Sequence, residues 1–167
     1  MHLNDAADYW GDNNLKRWPK TVISDLPLSA ASKVFLMEVG LPTPGRWIGS
    51  FDLRWDDALS LDPTRPGRRL LCTNHGSRTI WIDLTRDGLV IWEGPEDECV
   101  VNSSVERFGM SLIEYDRFRA KTPPYENLSF PQALLRLQNN LTTIDPSAMA
   151  SDVNYWPGNL ADMRAIS

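Results

Sequence analysis

Apolar positions along this chain change their spacing twice, and each change marks a different kind of element. Leu28, Ala31, Val34, Phe35 and Val39 recur at helical intervals, which predicts a helix from about Ser29 to Val39 with a broad apolar side. Ser29 stands where a hydroxyl accepts the free N–H groups of a first turn, and Gly40 stands where a helix end takes a left-handed cap. Leu36 and Leu41 fall where that cap makes its hydrophobic contact, with Pro42 just beyond. The stretch before Asp25 has no clear period, and Leu15, Trp18, Val22 and Ile23 are expected to dock onto the core.

The period then shortens to two. Trp47 to Leu53, Arg69 to Thr73, Arg78 to Leu84, Leu89 to Trp92 and Cys99 to Val101 are rich in β-branched and aromatic residues between turn signals, which predicts strands. Asp87-Gly88 is a strong hairpin signal because glycine accepts the positive φ of a tight reversal, and Asn74-His75-Gly76-Ser77 predicts the preceding reversal. Three sequential antiparallel strands, a meander, are the economical arrangement. Within the central strand Ile80, Ile82 and Leu84 alternate with Thr79, Trp81 and Asp83, so one sheet face is expected to take the helices.

Helical spacing returns after Asn102. Ser103-Ser104-Val105-Glu106 has the form of a capping box with Ser103 as the cap, and Val105, Phe108, Leu112 and Tyr115 continue the apolar stripe to about Phe118. Ser129 is placed to cap a third helix carrying Phe130, Leu134, Leu137 and Leu141. Helix, sheet, helices in that order predicts an α+β fold, an antiparallel meander with helices mainly on one face. The proline-rich seams at 62–67 and 121–124 are too short to divide the chain, so 1–167 is expected to be one domain. Residues 1–25 form a less regular N-terminal extension in this reading, and residues 142–167 a tail packed on the domain.

Composition refines this picture more than it changes it. A chain of 167 residues with 42% hydrophobic content and seven tryptophans buries a core without disulfides or metal. No apolar run is long enough to span a bilayer and the start lacks a basic flank followed by an apolar stretch, so a cytoplasmic location is expected. Cys72 and Cys99 are then expected as reduced thiols. The excess of 22 acidic over 17 basic residues, net −5, argues against direct nucleic-acid binding and for a basic partner.

Catalytic groups are sparse. The histidines are His2 in the terminus and His75 in a turn. Cys72, His75 and Cys99 lack the fourth close ligand of a structural zinc site, so no metal or other cofactor is expected. Phosphate-binding glycine loops are missing, and Gly49-Ser50 lacks the context of a nucleophile elbow. Asp56 and Asp57 are the carboxylates a small hydrolase would use. The acidic loop containing Glu93, Glu96, Asp97 and Glu98 reads either as a solvated turn or as a negative knob that steers a basic protein. Trp47, Trp55, Trp81 and Trp92 are core or interface residues, and Trp81, out of phase with Ile80, Ile82 and Leu84, faces solvent, a partner or a covering segment. Glu93, Glu96, Asp97, Glu98, Trp81, Asp83, Asp56 and Asp57 are therefore the candidate partner-binding residues.

The segments Phe35-Leu36-Met37-Glu38-Val39-Gly40-Leu41-Pro42, Ile82-Asp83-Leu84 before Asp87-Gly88-Leu89-Val90, and Val101-Asn102-Ser103-Ser104-Val105-Glu106-Arg107-Phe108, in this order, resemble the SUKH superfamily, specifically its fourth immunity-protein subfamily. The resemblance covers about Leu15 to Phe118. It implies an α+β immunity protein that binds and neutralises a cognate bacterial toxin, many such toxins being nucleases or deaminases. It carries over no catalytic residue. Its matching positions, Gly40, Pro42, Asp87, Gly88, Asn102, Ser103 and Glu106, imply structural roles, with Gly40 as helix cap, Asp87-Gly88 as turn and Ser103 as N-cap. A recognition module with a non-toxin partner and a small carboxylate hydrolase are the alternatives.

Overall fold

The computed structural model describes residues 5–43, 47–48, 51–74, 78–95 and 97–166. Its N-terminal part comprises α1 (Asp5–Trp10), β1 (Leu15–Lys16), α2 (Lys20–Ile23), α3 (Ala30–Val34) and β2 (Leu41–Pro42), with β1 and β2 paired antiparallel. Ser29 caps α3 as expected, its hydroxyl accepting from the Ser32 N–H at 3.0 Å. The predicted helix does reach Val39, but Phe35–Val39 widens into π-helical turns. Gly40 closes it at φ +89°, and a Cβ there would lie 2.5 Å from the Lys16 carbonyl oxygen. Glycine is thus required by backbone conformation and by the close approach of β1. Leu15, Trp18 and Ile23 are buried and Val22 packs partly against them, so the N-terminal stretch docks as expected.

The run from Trp47 to Leu53 is not one strand. It contains β3 (Trp47–Ile48) and β4 (Phe51–Asp52), which pair with each other antiparallel. Five further strands form the main sheet: β5 (Arg54–Trp55), β6 (Arg68–Asn74), β7 (Arg78–Asp83), β8 (Leu89–Glu93) and β9 (Glu98–Asn102). Their order in space is their order in the chain and every neighbour is antiparallel, so the predicted meander holds and is extended at both edges. Between β7 and β8, Leu84 has left the strand for a short 3-10 turn, and Asp87 and Gly88 then take φ of 62° and 81°. The turn expected around His75 falls on residues 75–77, outside the described residues, as do His2, Gly49, Ser50 and Glu96.

Three helices follow, α4 (Val105–Ala120), α5 (Phe130–Ile144) and α6 (Tyr155–Ala165). Ile80, Ile82, Val90 and Cys72, all fully buried, share a core with Phe108, Leu112 and Leu137 of α4 and α5. Trp10 and Trp18 from the N-terminal part and Trp156 and Leu160 from α6 enter the same core. α4 also touches the π-helical segment, and this approach needs Gly109: a Cβ there would stand 2.3 Å from Cζ of Phe35. Among the described residues no helix is long and apolar enough to cross a membrane.

The capping assignment at α4 needs correction. The cap is Ser104, whose hydroxyl accepts from the Arg107 N–H. Ser103 is drawn elsewhere, donating through N–H (2.6 Å) and Oγ (3.1 Å) to the buried Asp145 carboxylate. Glu106 does not reach back to the cap; it accepts from the Ser32 hydroxyl of α3 at 2.7 Å. Asp145 also accepts from Asn102 Nδ2 and Ser147 Oγ, and Asn102 Oδ1 accepts from Trp156 Nε1 at 3.0 Å. One buried polar cluster therefore pins the end of β9 to α5 and α6. Burial pushes the Asp145 carboxyl up, but the Ser103, Ser147, Asn102 and Ala148 donors outweigh it and hold it below its ordinary value.

Candidate protein-binding face

The core takes one face of the main sheet, and the register defines the other. Leu70 is opposite Trp81, Trp81 opposite Ile91, and Ile91 opposite Val100, so these four share the face turned from the helices. Ile91 is fully buried yet stands apart from the main core, whereas Leu70, Trp81 and Val100 are half-buried. The Trp81 ring N–H donates to Thr79 Oγ1 at 2.7 Å, which satisfies the indole within its own strand. The register thus puts Trp81 on the second face, where it is half-buried.

A frame of charge surrounds this apolar row. Asp83 lies opposite Arg68 across β6 and β7, and Glu93 lies opposite Glu98 across β8 and β9. Arg68, with its side chain only 9% exposed, approaches Asp83 at 3.5 Å and Glu98 at 2.8 Å. Arg65 is paired with Glu93, and reaches Asp62 at 3.0 Å and Glu98 at 3.4 Å. Arg86 bonds Asp83 at 2.8 Å and Glu98 at 3.1 Å. Glu93 and Glu98, expected as part of a free acidic knob, are thus neutralised by arginines of the same chain. Asp97 is exposed at the loop between them.

Two of these arginines come from turns with the same local sequence, Asp62-Pro63-Thr64-Arg65 and Asp83-Leu84-Thr85-Arg86. In each, one aspartate oxygen accepts from the threonine N–H and hydroxyl while the other accepts from the arginine Nε. Each turn therefore holds its guanidinium at a fixed angle, leaving the Nη groups for the β8–β9 carboxylates. Burial opposes ionisation at Asp62, but the Thr64 and Arg65 donors prevail and hold its carboxyl at about 2. At Asp83 and Glu98 burial is likewise outweighed, by Thr85 and Arg86 in the first and by Arg68 and Arg86 in the second, and both are lowered. These three carboxylates are ionised at neutral pH and hydrogen-bonded inward, an arrangement that presents fixed charge and no proton to transfer.

The acidic pair read as a possible hydrolase site does not converge. Asp56 accepts from the N–H groups of Ala58 and Ser60 and from the Ser60 hydroxyl, closing its own loop, and the exposed Asp57 pairs with Lys16. Trp55 is buried with its ring N–H on the Pro42 carbonyl, and Trp92 packs on the core beneath Arg78, whose guanidinium lies 4.9 Å from its ring centre. Trp81, Asp83, Glu93 and Glu98 are brought together on one face, and Asp56 and Asp57 are not among them. Sequence reasoning missed Arg65, Arg68, Arg86 and Ile91. The repeated Asp-x-Thr-Arg was the available signal for two of them. Both cysteines are free, Cys72 buried and Cys99 half-buried, and among the described residues no cluster of histidine, cysteine and acidic residues is placed to hold a metal.

Comparison with known proteins adds one positive finding. The model of the SUKH-4 immunity protein family matches residues 2–162. No curated protein and no solved structure is significantly similar to the chain.

Proposed function

This chain belongs to the SUKH-4 immunity protein family, and on that footing we propose that it neutralises a bacterial toxin by one-to-one binding, with the sheet face turned from the helices as the docking surface. The observation that carries the choice of surface is the half-buried apolar set Leu70, Trp81 and Val100, seated around the buried Ile91 beside a network of fixed ion pairs. Protein interfaces commonly place an aromatic anchor at the centre of a polar rim, and a frame already hydrogen-bonded loses little entropy on binding.

In this reading Trp81 is the anchor, Asp83, Glu93 and Glu98 belong to the rim, and Glu96 and Asp97 extend it at the β8–β9 loop. Asp56 and Asp57 supply a flanking acidic edge. The target is a toxin acting on nucleic acid, a nuclease or deaminase, whose phosphate-binding surface is basic and complements the acid excess of 22 over 17. Inhibition is steric and electrostatic, requires no cofactor, and takes place in the cytoplasm.

The test is co-purification with the toxin encoded beside this chain. Trp81→Ala is expected to weaken the complex by at least tenfold and to abolish protection of cells, with thermal stability within a few degrees of the parent. Undiminished binding by this variant would place the interface elsewhere.

A further inference from the structure

The exposed side of α5 carries the opposite charge from the chain as a whole. Four surface cavities, of about 130, 190, 310 and 230 Å³, lie along the flanks of this helix. The charged residues lining them are Arg119, Lys121, Arg136 and Arg164 against a single acidic residue, Asp152, in a chain of net charge −5. Between the cavities stand Phe130 and Leu135, 43% and 59% exposed. The sequence of α5 itself, FPQALLRLQNNLTTI, contains no acidic residue.

We infer that α5 is a second protein-docking surface, one that takes an acidic segment with large apolar side chains, such as an amphipathic helix flanked by Glu and Asp. The apolar ridge and its flanking cavities supply anchoring sites, and four cations around them supply the charge complement. A second copy of this chain set ridge to ridge would bring those four cations against their own equivalents, which disfavours self-association here. Nucleic acid fits less well, because base stacking needs several exposed aromatic rings, and among the described residues of the ridge Phe130 alone offers one. This surface is separate from the sheet face and does not rest on the toxin reading.

The experiment titrates the full chain with three probes. One is a fluorescein-labelled helical peptide with Leu and Phe at positions i, i+3, i+4 and i+7 and Glu at the flanks. The second is its Lys-for-Glu counterpart, and the third is single-stranded DNA of matched charge. The Glu peptide is expected to bind, at least tenfold more tightly than the Lys peptide and the DNA, and to weaken as salt rises. Leu135→Asp and the pair Arg136→Glu with Arg164→Glu are expected to weaken it at least fivefold, whereas Trp81→Ala leaves it unchanged. Leu135 is exposed, so its replacement leaves the fold intact, which a thermal melt verifies. Equal affinity for the two peptides, preference for DNA, sensitivity to Trp81→Ala in place of Leu135→Asp, or no binding would each overturn the inference. Because toxin binding is read at Trp81 and this surface at Leu135, failure of one is distinguishable from failure of the other.

Discussion

Arg65 and Arg86 reach the two oxygens of a single carboxylate, Glu98, at 3.4 and 3.1 Å, from turns that spell Asp-x-Thr-Arg in the same way. Between them the nearly buried Arg68 bonds the same residue at 2.8 Å. Glu93 and Glu98, at the two ends of the acidic loop, are therefore latched to the sheet by cations, and their charges are satisfied within the molecule.

The three arginines should differ in what they contribute. Removing a buried partner leaves carboxylates in low dielectric without compensation, so Arg68→Met is expected to cost roughly 2–4 kcal/mol in urea unfolding. Arg65→Met removes a side chain 40% exposed and is expected to cost about 1 kcal/mol or less. Equal losses would show that the network does not grade with burial.

Acid should unfold the protein through these same carboxylates. Asp62, Asp83, Glu98 and Asp145 all have folded values below their ordinary ones. Such groups bind protons more readily in the unfolded chain, so their stabilisation is complete above the unfolded values near 4 and drains as pH falls through the folded values, to about 2 for Asp62. Urea unfolding is expected to show flat stability from pH 7 to about 5 and a decline below. Asp145→Asn should reduce both the plateau and the slope of that decline, since Ser103 and Ser147 would lose a charged acceptor.

Two glycines should respond in opposite directions to the same change. Gly109→Ala drives a methyl group into the Phe35 ring and is expected to destabilise by about 1–3 kcal/mol. Gly158, inside α6 with nothing within 4 Å of a built Cβ, should gain about 0.5–1 kcal/mol as alanine. Thermal melts of the two variants against the parent would show the split.

Thiol labelling should be slow at both cysteines. Burial and the nearby Asp97 and Glu98 carboxylates push Cys99 from 9.0 up to about 11, which lowers its thiolate fraction at pH 8 by about 100-fold. Cys72, fully buried, is raised further. A thiol reagent at pH 8 is expected to modify Cys99 slowly and Cys72 only after denaturant is added, as read by mass spectrometry; rapid labelling of both would contradict the packing of β6 against the helices.

What was legible in the sequence was what neighbouring residues decide among themselves. Ser29 and Gly40 bracket their helix, Asp87-Gly88 turns its hairpin, and the alternation of Ile80, Trp81 and Ile82 assigns two sheet faces, because each depends on residues only a few positions away. The α4 cap was misplaced by one residue because Ser103 and Ser104 are equivalent locally, and the choice is made by Asp145, 42 residues away. α6 was missed because Pro157-Gly158 resembles a breaker. In the first turn of a helix, however, proline loses no hydrogen bond, and the Gly158 N–H still donates to the Asn154 carbonyl at 3.2 Å. The acidic loop seemed free because Arg65 and Arg86 lie on other connections, and only the register of the strands brings them to Glu93 and Glu98.

The sheet's strand order has a consequence for the time course of folding. Each strand finds its partner in the strand just before it, so the five can zip up by closing short connections one after another. The N-terminal part is fastened differently, through contacts such as Trp10 Nε1 on the Asp116 carboxylate, 106 residues apart, which form only after α4 is in place. Closure of that N-terminal clasp therefore waits on α4, and as it closes it carries Trp10, Trp18, Ile23, Phe35 and Leu36 into the core that the meander and helices share.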